Sequence, residues 1–197
     1  MALPEVKVQD WTDEEEVEVH RWTREEYEQM AEAGVFAPDK RVELVDGVIY
    51  DMSPQKNPHA TGIAKGIRAL TAAFGPEYHL RPQSPLALGV YSMPEPDLAV
   101  IVGDPDDYAD HPSDAVLVVE VTETSQYHDR KRKAKLYAET GLREYWIVNL
   151  RRDAVEVLRD PKGGEYRKRL VFHRGQQISP LARPEVSIAV DDLLPRK

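Results

Sequence analysis

The 197-residue chain contains no cysteine, which excludes disulfide scaffolds, thiolate zinc sites and cysteine nucleophiles. Any metal chemistry has to use oxygen or imidazole ligands. No stretch approaches the roughly 18 consecutive apolar residues of a membrane-spanning helix, and the N-terminus, Met-Ala-Leu-Pro-Glu, lacks a basic segment followed by an apolar one. The expectation is a soluble, cytoplasmic protein. Positive charge is also scarce: 26 Lys and Arg stand against 35 Asp and Glu, a net charge of −9, so a chain-wide basic surface for nucleic acid is excluded and any such contact must be local. What remains, 41% hydrophobic and 31% charged residues, is ordinary globular usage and enough for a folded domain with a real core.

The acidic run from Asp10 to Glu18 repels itself and reads as part of an N-terminal extension over residues 1–22. A single domain is expected over 23–197. It opens with a capping box, Thr23 and Glu26, and a helix to about Ala33 stopped at Gly34. Arg41 to Leu44, Asp46-Gly47 and Val48 to Met52 read as strand, tight turn and strand. Asn57-Pro58 starts a second helix as N-cap and first-turn proline, with Ile63, Ile67, Leu70 and Phe74 as one apolar stripe. Strands are expected at Tyr78 to Arg81, Leu86 to Gly89, Leu98 to Val102 and Ala115 to Val121. The last two lack alternation and should be covered on both faces.

Ser125 can cap a helix from about Tyr127 to Glu139, closed by Gly141, after which Glu144 to Leu150 resumes a strand. This predicts a parallel strand, helix, strand crossover. The remainder reads as a β-rich meander. The fold class is therefore α/β of the mixed α+β kind, a central mixed β-sheet flanked by helices with a β-rich C-terminal part.

Three acids fall inside apolar strand text: Glu43 between Val42 and Leu44, Asp97 before Leu98 to Val102, and Glu120 between Val119 and Val121. A carboxylate there is costly unless paired, protonated or bound to a metal. At about 100° per residue, Leu136, Tyr137 and Thr140 mark the inner face of the helix after Glu120. Lys133 falls in that stripe, with Asp129 one turn before it, whereas Lys131, Arg132 and Lys135 point elsewhere. Lys133 either snorkels outward, pairs with Asp129, or reaches the carboxylates at the end of the neighbouring strand. Clustered carboxylates beside an ammonium suit metal-dependent phosphodiester hydrolysis, because a hard cation such as Mg²⁺ relieves their repulsion and sets positive charge against a phosphate.

Pro96-Asp97, Val119-Glu120-Val121, Glu43 within Arg-Val-Glu-Leu-Val-Asp-Gly, Tyr127-His128-Asp129, Lys133, Leu136-Tyr137-Ala138 and Gly141 to Val148 stand in an order that resembles the PD-(D/E)XK nuclease superfamily. Within it, they resemble the Uma2 branch (DUF820) of restriction-endonuclease-like proteins, over roughly Thr23 to Leu150. The superfamily's usual lysine, two residues after the second acid, is replaced here by Thr122. Lys133 matches the variant in which the following helix supplies it.

The resemblance implies a restriction-endonuclease-like core and a Mg²⁺- or Mn²⁺-dependent endonuclease acting on DNA. Asp97 and Glu120 become metal ligands, Glu43 a further ligand directly or through water, and Lys133 the phosphate or water partner. These four are the candidate catalytic residues. His59 is a secondary candidate for a phosphate contact or extra base, or a solvated helix-start histidine, and Asp129 could orient Lys133. Arg130, Lys131 and Lys135, in one basic run with Arg132, form the candidate nucleic-acid contact, or simply an exposed helix face. A cut through both strands calls for a homodimer. Two other functions stay open: a non-catalytic binding or regulatory module that keeps the fold, and a metal-dependent hydrolase of small phosphoesters.

Overall fold

The computed structural model describes residues 18–123 and 127–196, the side chains of 127–129 excepted. The acidic run before Glu18, the Ser125 cap and the side chain of Asp129 lie outside the described residues.

The two apolar runs without alternation form the interior of a six-stranded sheet. Its strands are β3 (Tyr78–Pro82), β4 (Leu98–Val102), β5 (Leu117–Thr122), β6 (Glu144–Asn149), β7 (Ala154–Lys162) and β8 (Glu165–His173), lying side by side in chain order. Every neighbouring pair is antiparallel except β5 and β6, which are parallel. A parallel pair needs a long crossover. Helix α3 (Tyr127–Glu139) supplies it.

Successive side chains in these strands go to opposite faces. Leu98, Val100, Leu117, Val119, Trp146 and Val148 pack with Ile63, Leu70 and Phe74 of helix α2 (Asn57–Phe74). Ala99, Ile101, Val118, Tyr145 and Ile147 pack with Leu136 and Tyr137 of α3. Each fully buried Leu, Ile or Val in these layers contributes about 1.5–3 kcal/mol relative to exposure. Helix α2 lies unusually close to the sheet because Gly62 and Gly66 face it: a Cβ on Gly62 would stand 2.8 Å from Val121 Cγ1, and one on Gly66 2.5 Å from Leu98 Cδ1.

Helix α1 (Arg24–Glu32) carries the expected capping box, the Glu26 N–H donating to Thr23 Oγ1 at 3.2 Å and the Thr23 N–H to Glu26 at 2.8 Å. Strands β1 (Val42–Val45) and β2 (Val48–Asp51) form a hairpin outside the main sheet. Its turn has Asp46 at φ 53° and Gly47 at φ 78°, the left-handed pair that matches strand twist. Arg21 pairs with Asp46, and the Trp22 N–H donates to Gly47 O at 2.9 Å, so residues assigned to the extension are docked on this turn. A short pair, β9 (Gln177–Ile178) with β10 (Ile188–Ala189), closes the α2 side together with Val190, Leu193 and Leu194. Among the described residues, no helix is long and apolar enough to cross a membrane.

Three local expectations are corrected. Leu86 to Gly89 is loop rather than strand, buried over Leu86 to Leu88. The Leu86 N–H donates to Pro94 O, but Pro94 has no N–H to return, so a ladder cannot form. Asn57 is already helical; the N-cap is Lys56, with no side-chain cap, and the Glu123 carboxylate at the end of β5 accepts the His59 N–H at 2.9 Å instead. Thr140 is exposed just beyond α3, because the helix ends at Glu139 and Gly141 takes φ 81°.

Candidate active site

Strand parity decides which side chains meet. Leu117, Val119 and Val121 of β5 belong to the α2-side core, so Glu120 and Thr122 face α3. Strands β4 and β5 pair as far as Leu98 with Val119; one step further, the same register sets Asp97 opposite Glu120. There the ladder stops, and Asp97 Oδ2 takes the Val121 N–H at 2.8 Å. The two acids therefore stand where the strands part, at an open cavity of ≈ 400 Å³.

Helix α3 brings Lys133 and Tyr137, one turn apart, onto this point. Lys133 is only 6% exposed. Its Nζ lies 3.0 Å from Glu120 Oε1 and 3.1 Å from Glu43 Oε2, and the Tyr137 hydroxyl donates to the same Glu120 oxygen at 3.3 Å. Glu43 arrives from β1, which is bound to the chain before β4 by a Leu44–Met93 bridge. Its Oε2 also accepts the Glu95 N–H at 3.1 Å. From the opposite side, the Gly62–Gly66 face of α2 carries His59 against the strand end, with Nε2 2.9 Å from Asp97 Oδ1.

The electrostatics follow from this crowding. Burial pushes Glu120 from 4.5 up to about 8; the Lys133 ammonium opposes the rise, and Asp97 and Glu43 add to it. His59 is held above its ordinary value, first by its bond to Asp97, against the effect of burial. Burial raises the Tyr137 hydroxyl well above its usual range, so it stays protonated and donates. Among the described residues no three His, Asp or Glu side chains form a ready-made metal cage; the oxygens of Glu43 and Glu120 turn to Lys133, and those of Asp97 to His59 and the Val121 N–H. The donor set nevertheless suits a hard cation. A carboxyl group driven to about 8 by burial, with two neighbouring acids adding to the rise, is one that added positive charge would ionise.

The structure thus brings Glu43, Asp97, Glu120, Lys133 and His59 together at one cavity. It scatters the basic run. Arg130 lines the cavity but is ion-paired to Glu156 of β7 at 2.6 Å. Lys131 is exposed, and Lys135 is exposed and paired with Glu139 at 2.7 Å. Arg132, expected to point elsewhere, lies on the cavity wall with its guanidinium 3.5 Å from the Tyr50 ring centre. Tyr50 was legible in principle, since it is the cross-strand partner of Glu43. Arg41, ion-paired to Glu95 at the cavity edge, and Glu123 had no signal in the sequence, because their partners come from distant segments.

The mixed sheet with helices on both faces and the two acids where its strands part form the arrangement that the sequence resemblance implies. The chain matches the model of the family Uma2, described as "Putative restriction endonuclease", over residues 24–191. It belongs to that family. Its fold is similar to the crystal structure of a "putative nuclease belonging to DUF820" from Anabaena variabilis, at a TM-score of 0.64 and 14% sequence identity, covering 77% of this chain and 88% of that one. No curated protein matches the chain.

Proposed function

We propose that this protein is a Mg²⁺- or Mn²⁺-dependent endonuclease that hydrolyses phosphodiester bonds in DNA. The observation that carries the reading is Lys133: a buried ammonium within 3.1 Å of acids from two separate elements, facing a cavity that also holds Asp97. A structural ion pair needs only one acid, and burying two acids against one lysine with Asp97 beside them is costly unless another cation joins them.

Asp97 and Glu120 would hold that cation, with Glu43 nearby. When bound, it polarises a phosphoryl oxygen and lowers the pKa of the attacking water. Lys133 offers N–H donors to the phosphate or the water, where they stabilise developing negative charge. Glu43, engaged through Oε2 by Lys133 and the Glu95 N–H, keeps the ammonium in place. His59 fixes Asp97 through its ring, and Tyr137 orients Glu120. Two copies would present one such site to each DNA strand, and a monomer mass by light scattering contradicts that part.

The test is plasmid cleavage with Mg²⁺, with EDTA, and by Lys133→Ala. Metal-dependent nicking abolished in the variant, with metal affinity retained or raised, is the expected result. Cleavage by the variant at the parental rate removes Lys133 from the mechanism. Turnover of a chromogenic phosphodiester without any cleavage of plasmid identifies a small-phosphoester hydrolase instead.

A further inference from the structure

The sheet register carries the site's face outward to an edge. Glu120 pairs with Ile147, Ile147 with Glu156, and Glu156 with Val171, so all four lie in one row across β5 to β8. At about 4.8 Å per strand, β8 stands roughly 14 Å from Glu120.

Glu156 is buried to 1% exposure. Its Oε2 receives two guanidinium groups, Arg130 of α3 at 2.6 Å and Arg169 of β8 at 2.5 Å, while its Oε1 accepts from Asn149 at 3.1 Å. Burial alone would raise this carboxyl, but Asn149, Arg130 and Arg169 together hold it below the usual range. It is therefore ionised, and two cations share one anion. The surplus positive charge starts at Arg130 on the cavity wall and reaches Arg169, whose side chain is 54% exposed.

Two residues on along β8, on the same face, stands exposed Arg167, and across on α3 exposed Lys131. Residues 151–174 hold eight Lys and Arg against four Asp and Glu, in a chain whose net charge is −9. Of the eight, Arg159 is taken up by Glu144, and Arg174 by Asp153 and Asp191. Positive charge is thus concentrated along the β8 edge of the sheet.

We infer that the strip running from Arg130 through Arg169 to Arg167 binds the phosphodiester backbone of a nucleic acid that extends out of the cavity. It rests on the nuclease reading and adds where the flanking substrate lies. The roughly 14 Å between Glu120 and β8 is about four steps of the 3.4 Å rise along one DNA strand, so the strip meets the same molecule a few nucleotides from the scissile bond. Guanidinium groups suit this role because they engage phosphate oxygens through paired N–H donors. A second copy of the chain is the competing occupant, since Leu170 and Val171 are exposed on the same edge strand.

The experiment measures binding of a fluorescein-labelled DNA duplex by anisotropy, with Ca²⁺ in place of Mg²⁺, for the parent, the β8 variants Arg167→Glu and Arg169→Gln, and Arg68→Glu. Arg68 is an exposed residue of α2, on the other face of the sheet, and reports the effect of net charge alone. The β8 variants should bind roughly tenfold more weakly, with a salt dependence shallower by about one, while Arg68→Glu stays at the parental level. If the parent binds and the β8 variants match it, or Arg68→Glu falls equally, the strip is wrong and the nuclease reading stands. A parent that binds no DNA overturns both. A parental dimer that becomes monomeric in Arg167→Glu with DNA binding unchanged assigns the edge to pairing of copies and overturns the strip.

Discussion

Replacing Lys133 by Met keeps the length of the side chain and removes its charge from between Glu43 and Glu120, to which the ammonium is bound at 3.1 and 3.0 Å. Removing one partner of a buried ion pair costs about 3–5 kcal/mol, because the remaining charge has no compensation. Glu120 escapes most of that cost by staying protonated, since burial already lifts it to about 8 and Lys133 was lowering it. Glu43 remains as the uncompensated anion. The metal-free variant should therefore lose about 3 kcal/mol, near the bottom of that range, which for a domain of this size is a fall in Tm of roughly 6–12 °C. A divalent cation supplies the missing positive charge, so added Mg²⁺ should raise the Tm of the variant more than that of the parent. Scanning calorimetry of both proteins, with Mg²⁺ and with EDTA, measures all four values. A variant as stable as the parent in EDTA, with no larger response to Mg²⁺, refutes the claim that Lys133 compensates these acids.

Other consequences are simpler. Asp97→Ala should weaken Mg²⁺ or Mn²⁺ binding in isothermal titration by at least about tenfold, as loss of a carboxylate ligand does, and unchanged affinity removes Asp97 from the ligand set. Because the folded state holds the Glu120 proton up to about 8 against 4.5, its stabilising effect is complete below about 4.5 and is lost as pH rises through 8. Cation binding must expel that proton, so apparent Mg²⁺ affinity should climb by up to about tenfold per pH unit between roughly pH 6 and 8. A pH-independent affinity contradicts this. Gly66→Ala would place a Cβ 2.5 Å from Leu98 Cδ1, and Leu98 is fully buried, so urea unfolding should show a loss of about 1–3 kcal/mol; no loss means that α2 can move away from the sheet.

The convergence of Glu120 and Lys133 was readable because two periodicities meet there. Alternation in β5 sends Glu120 to one face, and the helical repeat sends Lys133 and Tyr137 of α3 back onto that face. Asp97 was readable from its place at the mouth of an apolar strand. What surrounds them was not. Glu123 caps α2 and Glu95 binds Glu43 through its backbone N–H, contacts between segments tens of residues apart that leave no local pattern. The basic run failed as a unit for the same reason: a charge count along α3 does not show that Glu156, on β7, claims Arg130, or that Glu139 claims Lys135. Tyr50 was half visible, since its pairing with Glu43 follows from the Asp46-Gly47 turn, whereas the Arg132 guanidinium over its ring needs the packed hairpin and helix.

The most direct measurement is anomalous diffraction from crystals soaked in Mn²⁺. The account requires one strong peak between Asp97 and Glu120, in reach of Glu43 and with oxygen ligands at about 2.1–2.2 Å, close to the Mg²⁺ range. Full Mn²⁺ loading elsewhere, or no peak at this strand divergence at saturating metal, contradicts it.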